Sequence, residues 1–354
     1  MKRALSDLWA STRPFRPVLG VVIVLCVLFA IWQPGFRTTL NVQNIITSVA
    51  VLWIVAMGMT FVLVSGGFDL SVGATAAICG VFLAKVLEAH LMPAPLALIA
   101  TIIFGAVVGG VLNGIFVGIF RLSVFVVTLA SMTALTGLVL VWTNTQSIYV
   151  TSSTVNAISV ARVGGLQTPI FVMAVVFIIF LIVQKRTYLG RDIYATGGSY
   201  TAARLSGIRT GRTLIAVYAV AGACAGLGGA IAVGRTGAAV PNVDPSLALQ
   251  AVAAVLLGGT ALTGGFGSVV GTMFGALFIG ILQNGLNLAG VGSAWQYVVT
   301  GVILLLSVLG SRVGGGKGSV LGRLMKALGR RQSAIAPSCA VEPASSDAVD
   351  KPQS

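Results

Sequence analysis

Apolar runs of about twenty residues, separated by short polar breaks, fill the chain from residue 17 to residue 309. A run of that length without charges suits a membrane-spanning helix. The pattern predicts spans over 17–36, 42–64, 72–87, 95–120, 123–142, 168–183, 213–234, 246–262, 268–288 and 293–309. That is an all-α polytopic membrane protein of about ten transmembrane helices. The runs 72–87 and 246–262 are short, so each is either a half-helix or a strongly buried segment. The first run resembles a signal peptide, but no small-x-small cleavage site follows it, so it reads as an uncleaved first span.

One long polar island interrupts the pattern. Residues 185–212, KRTYLGRDIYATGGSYTAARLSGIRTGR, carry Lys185, Arg186, Arg191, Arg204, Arg209 and Arg212 against the single acid Asp192. A loop this basic between spans is expected to stay in the cytoplasm. It is long enough to hold a short helix and to act as a docking surface. With ten spans and a cytoplasmic N-terminus, only Arg37, Lys85, Arg162 and Arg235 of the 22 cations fall on the outer side. The charge pattern therefore predicts that both termini are cytoplasmic. Residues 1–16 read as a cytoplasmic N-terminal segment and 17–311 as the transmembrane domain. Within 312–354, residues 317–331 alternate apolar and basic positions as an amphipathic helix on an anionic membrane surface would. The Ala-, Ser- and Pro-rich tail beyond Gln332 has the composition of disorder. The longest outer loop, 143–167, is Ser/Thr-rich and reads either as a connector or as a surface for an extracytoplasmic partner.

Composition sharpens the class. Of 354 residues, 56% are hydrophobic and only 8% charged, and the mean hydropathy is +1.00. Soluble domains carry about 25% charged residues, so these charges cannot cover a globular surface. The net charge of +14 follows from cations in loops and tails, and no nucleic-acid partner is expected. The 45 glycines suit close helix packing, most visibly in the ladder Gly105, Gly109, Gly110, Gly114 and Gly118. Cys26, Cys79, Cys224 and Cys339 form no C-x-x-C pair and read as packing residues. Two weak internal echoes, 63–80 with 256–275 and 111–119 with 281–289, fit the repeats from which transporters are often built.

Few residues carry candidate chemistry. Asp69, in SGGFDLSVG, is an acid at the mouth of a span, where a carboxylate costs roughly 2.5–3.5 kcal/mol on insertion scales. Two roles are open to it: capping of the next helix by Asp69 or Ser71, or a part in substrate passage. Asn113, Asn284, Asn287 and Gln296 are neutral polar groups in or beside spans. They suit an uncharged polyhydroxylated substrate and equally suit helix–helix hydrogen bonds. There is no nucleotide-binding G-x-x-x-x-G-K-[ST] loop, no nucleophile–base pair, no metal cluster and no carboxylate dyad. The single histidine, His90, falls in an outer loop. No catalytic residue is expected, and any pumping energy must come from another subunit.

Several motifs together resemble the permease subunits of bacterial ATP-binding cassette importers for sugars, the ribose/xylose/galactose type. They are SGGFDLSVGA at 65–74, GRDIYATGGSYTAARLSGI at 190–208, LLGGTALTGGFGSVVGTMFGALFIGILQNGLNL at 256–288 and WQYVVTGVILLLSVL at 295–309. The resemblance covers roughly residues 40 to 312. It implies a multi-pass protein of the bacterial inner membrane, paired with a second permease copy as a homodimer or heterodimer. It also implies ABC ATPase subunits in the cytoplasm and an extracytoplasmic sugar-binding protein. The chain itself would bind no cofactor; ATP and Mg would be used by the partner ATPase. The resemblance makes the segment around 197–208 the coupling helix that docks on the ATPase. Gly197, Gly198, Ala202, Ala203, Arg204, Leu205, Gly207 and Ile208 are then its contact residues. Ala202, Ala203, Leu205 and Ile208 are expected to share a small apolar face. Ser199-Tyr200-Thr201 departs from the family's usual Asn followed by Pro or Glu, which bears on which ATPase is chosen. Asp69, Ser71, Asn113, Asn284 and Asn287 are the candidate residues of the translocation path. The alternatives are a branched-chain amino acid or nucleoside permease of the same superfamily, or an ATP-independent facilitator.

Overall fold

The structure, a computed structural model, describes residues 16–244 and 246–314. The N-terminal segment before residue 16, the amphipathic segment 317–331 and the tail lie outside the described residues. Thirteen helices follow in order among the described residues. They are α1 (Arg16–Trp32), α2 (Thr39–Val64), α3 (Val72–Glu88), α4 (Ala94–Gly118), α5 (Val124–Thr143), α6 (Ser153–Ser159), α7 (Thr168–Arg186), α8 (Tyr188–Gly198), α9 (Tyr200–Leu205), α10 (Thr210–Thr236), α11 (Ser246–Leu257), α12 (Val269–Leu288) and α13 (Ser293–Gly314). A single 3-10 turn, Pro34–Arg37, joins α1 to α2.

Six of these helices (α2, α4, α5, α7, α10 and α12) are long and apolar enough to cross a membrane, and Val18–Trp32, Ser246–Leu257 and Ser293–Leu306 are shorter apolar helices. The chain is a multi-pass membrane protein. Its only strands among the described residues are four two-residue pieces. β1 (Ile148–Tyr149) pairs antiparallel with β4 (Ala238–Ala239), and β2 (Arg162–Val163) pairs with β3 (Leu166–Gln167).

Burial separates the helices by role. In their apolar windows α2 is 72% buried and α10 is 67% buried, against 17% for α7 and 28% for α5. The inner pair, α2 and α10, is therefore the core, and α7 and α5 present apolar faces outward. The glycine ladder predicted in α4 packs against α10. A methyl at Gly222 would overlap the Gly105 carbonyl oxygen, so the two backbones touch with no side chain between them. Small residues at such crossings let helices approach closely. Within α4, residues Gly109–Ile115 form a π turn, a local widening that is often found at functional sites.

One expected span stops well short of its sequence boundary. The 246–262 run ends as a helix at Leu257, because Gly259 adopts φ +85° and turns the chain. By contrast α3 starts at Val72 as expected, after residues 65–71 have folded back from the end of α2.

The ends of the helices sort onto two faces. Val64, Gly197 and Gly265 meet at one end of the bundle, where the Gly265 N–H donates to the Val64 carbonyl at 2.8 Å. The β1–β4 pair, α6 and the Arg162–Gln43 hydrogen bond cluster at the other.

Candidate functional site

The turn after α2 begins with Gly66 at φ +81°, a left-handed conformation that ends the helix. The chain then runs back into the bundle, where the Tyr218 hydroxyl of α10 donates to the Phe68 carbonyl at 3.1 Å. Asp69 is 3% exposed, and its Oδ1 accepts from the Ser71 N–H at 2.8 Å and the Ser71 hydroxyl at 2.6 Å. Asn113, in the π turn of α4, donates from Nδ2 to Asp69 Oδ1 at 3.3 Å and to Ser71 Oγ at 2.8 Å. The amide orientation is forced. Ser71 spends its one hydrogen on Asp69, so both groups facing Asn113 are acceptors and require its NH₂. That leaves Asn113 Oδ1 buried without a partner. Ser71 is the residue at the start of α3, but its side chain makes no capping bond to that helix. The expected cap is thus an Asp–Ser turn held from across the bundle.

A second turn of the same design starts α11. Asp244 Oδ1 accepts from the Ser246 N–H at 2.8 Å and from its hydroxyl at 2.6 Å, and Gln250 Nε2 donates to Ser246 Oγ at 2.7 Å. The two turns are neighbours, since a Cβ at Gly73 would lie 2.8 Å from the Asp244 carbonyl oxygen. One turn follows α2 from one face of the bundle; the other follows α10 from the opposite face. Their junction borders a cavity of about 140 Å³ with walls of small residues, including Ala76, Gly80 and Gly229, and with Asn242 and Asp244 among its polar lining.

The other path candidates do not join this site. Asn284 and Asn41 exchange reciprocal amide hydrogen bonds at 2.9 and 3.0 Å, locking α12 to α2. Asn287, itself exposed, accepts from Gln296 at 2.7 Å. Of the five candidates, only Asp69, Ser71 and Asn113 come together.

The basic loop folds as α8 and α9. Ser199, between them, accepts the Ala202 N–H and starts α9. The expected apolar face of four residues does not form. Ala203 is buried at 4% exposure, whereas Leu205 is 84% exposed and Ala202 is exposed. The reason is local: α9 has only six residues, and Gly207 at φ +84° redirects the chain before Ile208. Arg204 and Gly198 are exposed. Gly197 faces inward, where a Cβ would overlap the Val64 carbonyl oxygen.

Side chains anchor this segment to the bundle. Tyr194 donates to the Gly267 carbonyl at 2.5 Å and accepts from Gln184, whose Oε1 accepts the Val269 N–H at 3.2 Å. Burial pushes the Tyr194 phenol above its ordinary range, so it stays protonated as that donor. Beneath α9 lies a cavity lined by Gly66, Arg121, Thr196, Tyr200, Leu214 and Thr263, among others. The Arg121 guanidinium covers the Tyr200 ring at 5.3 Å from its centroid. Among the described residues the only ion pair is the exposed Lys85–Glu88, and no cluster of three metal-ligating side chains occurs.

Sequence reasoning passed over Tyr218, Tyr194, Gln184, Arg121 and the Asp244–Ser246 turn. Only the last carried a readable signal, the repeated Asp-x-Ser before an apolar helix.

The profile of the family described as "Branched-chain amino acid transport system / permease component" matches residues 41–308. The chain belongs to this permease family. Among its relatives is the ribose import permease protein of Escherichia coli (strain K12). It is 40% identical over 296 residues, covering 82% of this chain and 91% of that protein. The ribose import permease protein of Bacillus subtilis (strain 168) is 40% identical over 295 residues, covering 83% and 91%. The xylose transport system permease protein of Escherichia coli (strain K12) is 32% identical over 361 residues, covering 82% and 90%. No solved structure matches the chain significantly.

Proposed function

We propose that this permease is the membrane subunit of an ATP-binding cassette importer and forms the path for a monosaccharide or related polyol. The observation that carries the reading is the 40% identity to ribose import permeases over nine-tenths of their length. Energy comes from ATP and Mg on separate ATPase subunits, which dock on the exposed α9 segment with Arg204 and Leu205. An extracytoplasmic binding protein delivers the sugar at the opposite face, and a second permease copy completes the pore. The membrane is the bacterial inner membrane.

The fold supports ten crossings. Residues 64, 197 and 265 meet through backbone contacts, as do 118 and 211. One cavity lined by Gly66, Val117, Gly197 and Leu214 borders both groups, and β1 and β4 pair on the other face. With the basic loop inside, the chain alternates consistently from α1 to α13, and both ends lie in the cytoplasm. α3 and α11 act as half-helices that complete two of the crossings.

The test is purification through a tag on the C-terminal tail, identification of co-purifying chains, and uptake by reconstituted vesicles. The panel contains ribose, xylose, galactose and leucine. Expected is an ATPase in the complex and ATP-dependent uptake of one sugar. Leucine uptake would favour the branched-chain amino acid reading, to which the family's description points. Uptake that needs no ATP and no partner would overturn the importer reading in favour of a facilitator.

A further inference from the structure

The cytoplasmic-loop segment 199–211 is held at one end by the turn that follows α4 and at the other by the last residue of α4. At one end Arg121, three residues beyond α4, lays its guanidinium over the Tyr200 ring at 5.3 Å. At the other end Gly118, the last residue of α4, meets Gly211 backbone to backbone. A Cβ on Gly118 would stand 2.6 Å from the Gly211 carbonyl oxygen, and one on Gly211 would stand 2.8 Å from that of Gly118. Arg121 itself has φ +55°, a conformation uncommon for a side chain of its kind, which turns the chain sharply between α4 and α5. No acid pairs with Arg121 among the described salt bridges. Five residues back along α4 from Gly118, Asn113 holds Asp69 and Ser71 at the start of α3.

The geometry points to α4 as the helix that carries motion inward, with Arg121 and Tyr200 as positioning residues that make α4 and the α9 segment move as one body. This rests on the importer reading above, in which the α9 segment receives the ATPase. A shift of α9 would then drag α4 through the Arg121–Tyr200 stack and the Gly118–Gly211 contact. Asn113 would carry the displacement to the Asp69–Ser71 turn and so to the junction of the two half-helices. Rigid movement of packed elements is a common form of such transitions.

The experiment uses the complex with its co-purified ATPase subunits, reconstituted in vesicles. The probe is the sugar from the panel above that wild type carries fastest, and the readout is ATP hydrolysed per sugar taken up. For Arg121→Ala and Tyr200→Leu that ratio is expected to rise about two- to five-fold, the scale of an exposed cation–π contact. Arg121→Lys and Tyr200→Phe, which keep a cation and a ring, should stay near wild type. ATPase subunits should co-purify with all four variants. An unchanged ratio in Arg121→Ala and Tyr200→Leu overturns the proposal. So does loss of the ATPase from these variants, which would make the pair a docking contact instead. A wild-type complex without ATP-driven uptake counts against the importer reading alone.

A second measurement needs no transport. Leu122→Cys and Thr201→Cys, placed beside the stack in a background without the native cysteines, are cross-linked by a short bismaleimide in membranes. One-body motion predicts the same yield with and without ATP, and a lower yield when Arg121→Ala is added. A cross-link confined to one nucleotide state, or indifferent to Arg121→Ala, sinks the idea.

Discussion

Asp69 shows how a buried charge is kept in an apolar bundle. Three donors converge on one of its oxygens, and none of them is a cation. Hydrogen bonds to a charged group contribute about 1.5–3 kcal/mol each. Asn113→Ala removes one of them and the bond to Ser71, so it should destabilise the solubilised protein by about 2 kcal/mol, read as a lower midpoint of thermal unfolding. Asn113→Asp is a harsher change. It sets two carboxylates where 3.3 Å now separates an amide from a carboxylate, and like charges at that range repel strongly. Folded yield should collapse in Asn113→Asp and recover in the double variant Asp69→Asn, Asn113→Asp. Failure of the double variant to recover would show that the pair is not a simple exchange of charge. Sequence alone marked Asp69, because an acid beside an apolar run is conspicuous. It could not join Asp69 to Asn113, which is 44 positions away and carries no charge to advertise the pairing. Tyr218 was hidden for a related reason: within an apolar helix its single hydroxyl gives no directional signal.

The helices were more legible than their partners. Hydropathy located every long helix, and the spacing of Gly105, Gly109, Gly114 and Gly118 announced a close-packed face. The surface that receives it, centred on Gly222 of α10, was not announced, because α10 contains many small residues and only contact distinguishes among them. Gly222→Ala should therefore prevent correct packing of α4 on α10 and reduce folded yield severely. Gly137→Ala, in α5 where nothing lies within 4 Å of the added carbon, should be neutral or stabilising by up to about 1 kcal/mol. Comparing the two by detergent-resistant yield on a sizing column separates contact from mere glycine content. At α9 the sequence misled through length. Four apolar residues spaced for one face need more than the six helical residues that the turn at Gly207 allows.

For the whole molecule, charge asymmetry predicts an orientation without any knowledge of contacts, and that orientation awaits its own test. Shortness had already marked the runs 72–87 and 246–262 as half-helices or buried segments, but a segment that starts inside the bundle has no charged boundary to mark its depth. Orientation can be read directly by labelling single cysteines with a membrane-impermeant maleimide. Tyr149→Cys, at an 82% exposed position on the β1 face, should react in intact cells. Thr201→Cys, on α9, should react only after permeabilisation. The reverse pattern would invert the proposed topology.

The meeting of Val64, Gly197 and Gly265 also has a mechanical meaning. Three chain segments far apart in sequence are joined there through backbone atoms, without side chains that could flex to absorb a displacement. An engineer would call it a welded node: the three members it joins lose most of their independent degrees of freedom. In the importer reading proposed above, a push arriving at α8 reaches the foot of α2 and the loop that leads into α12 together.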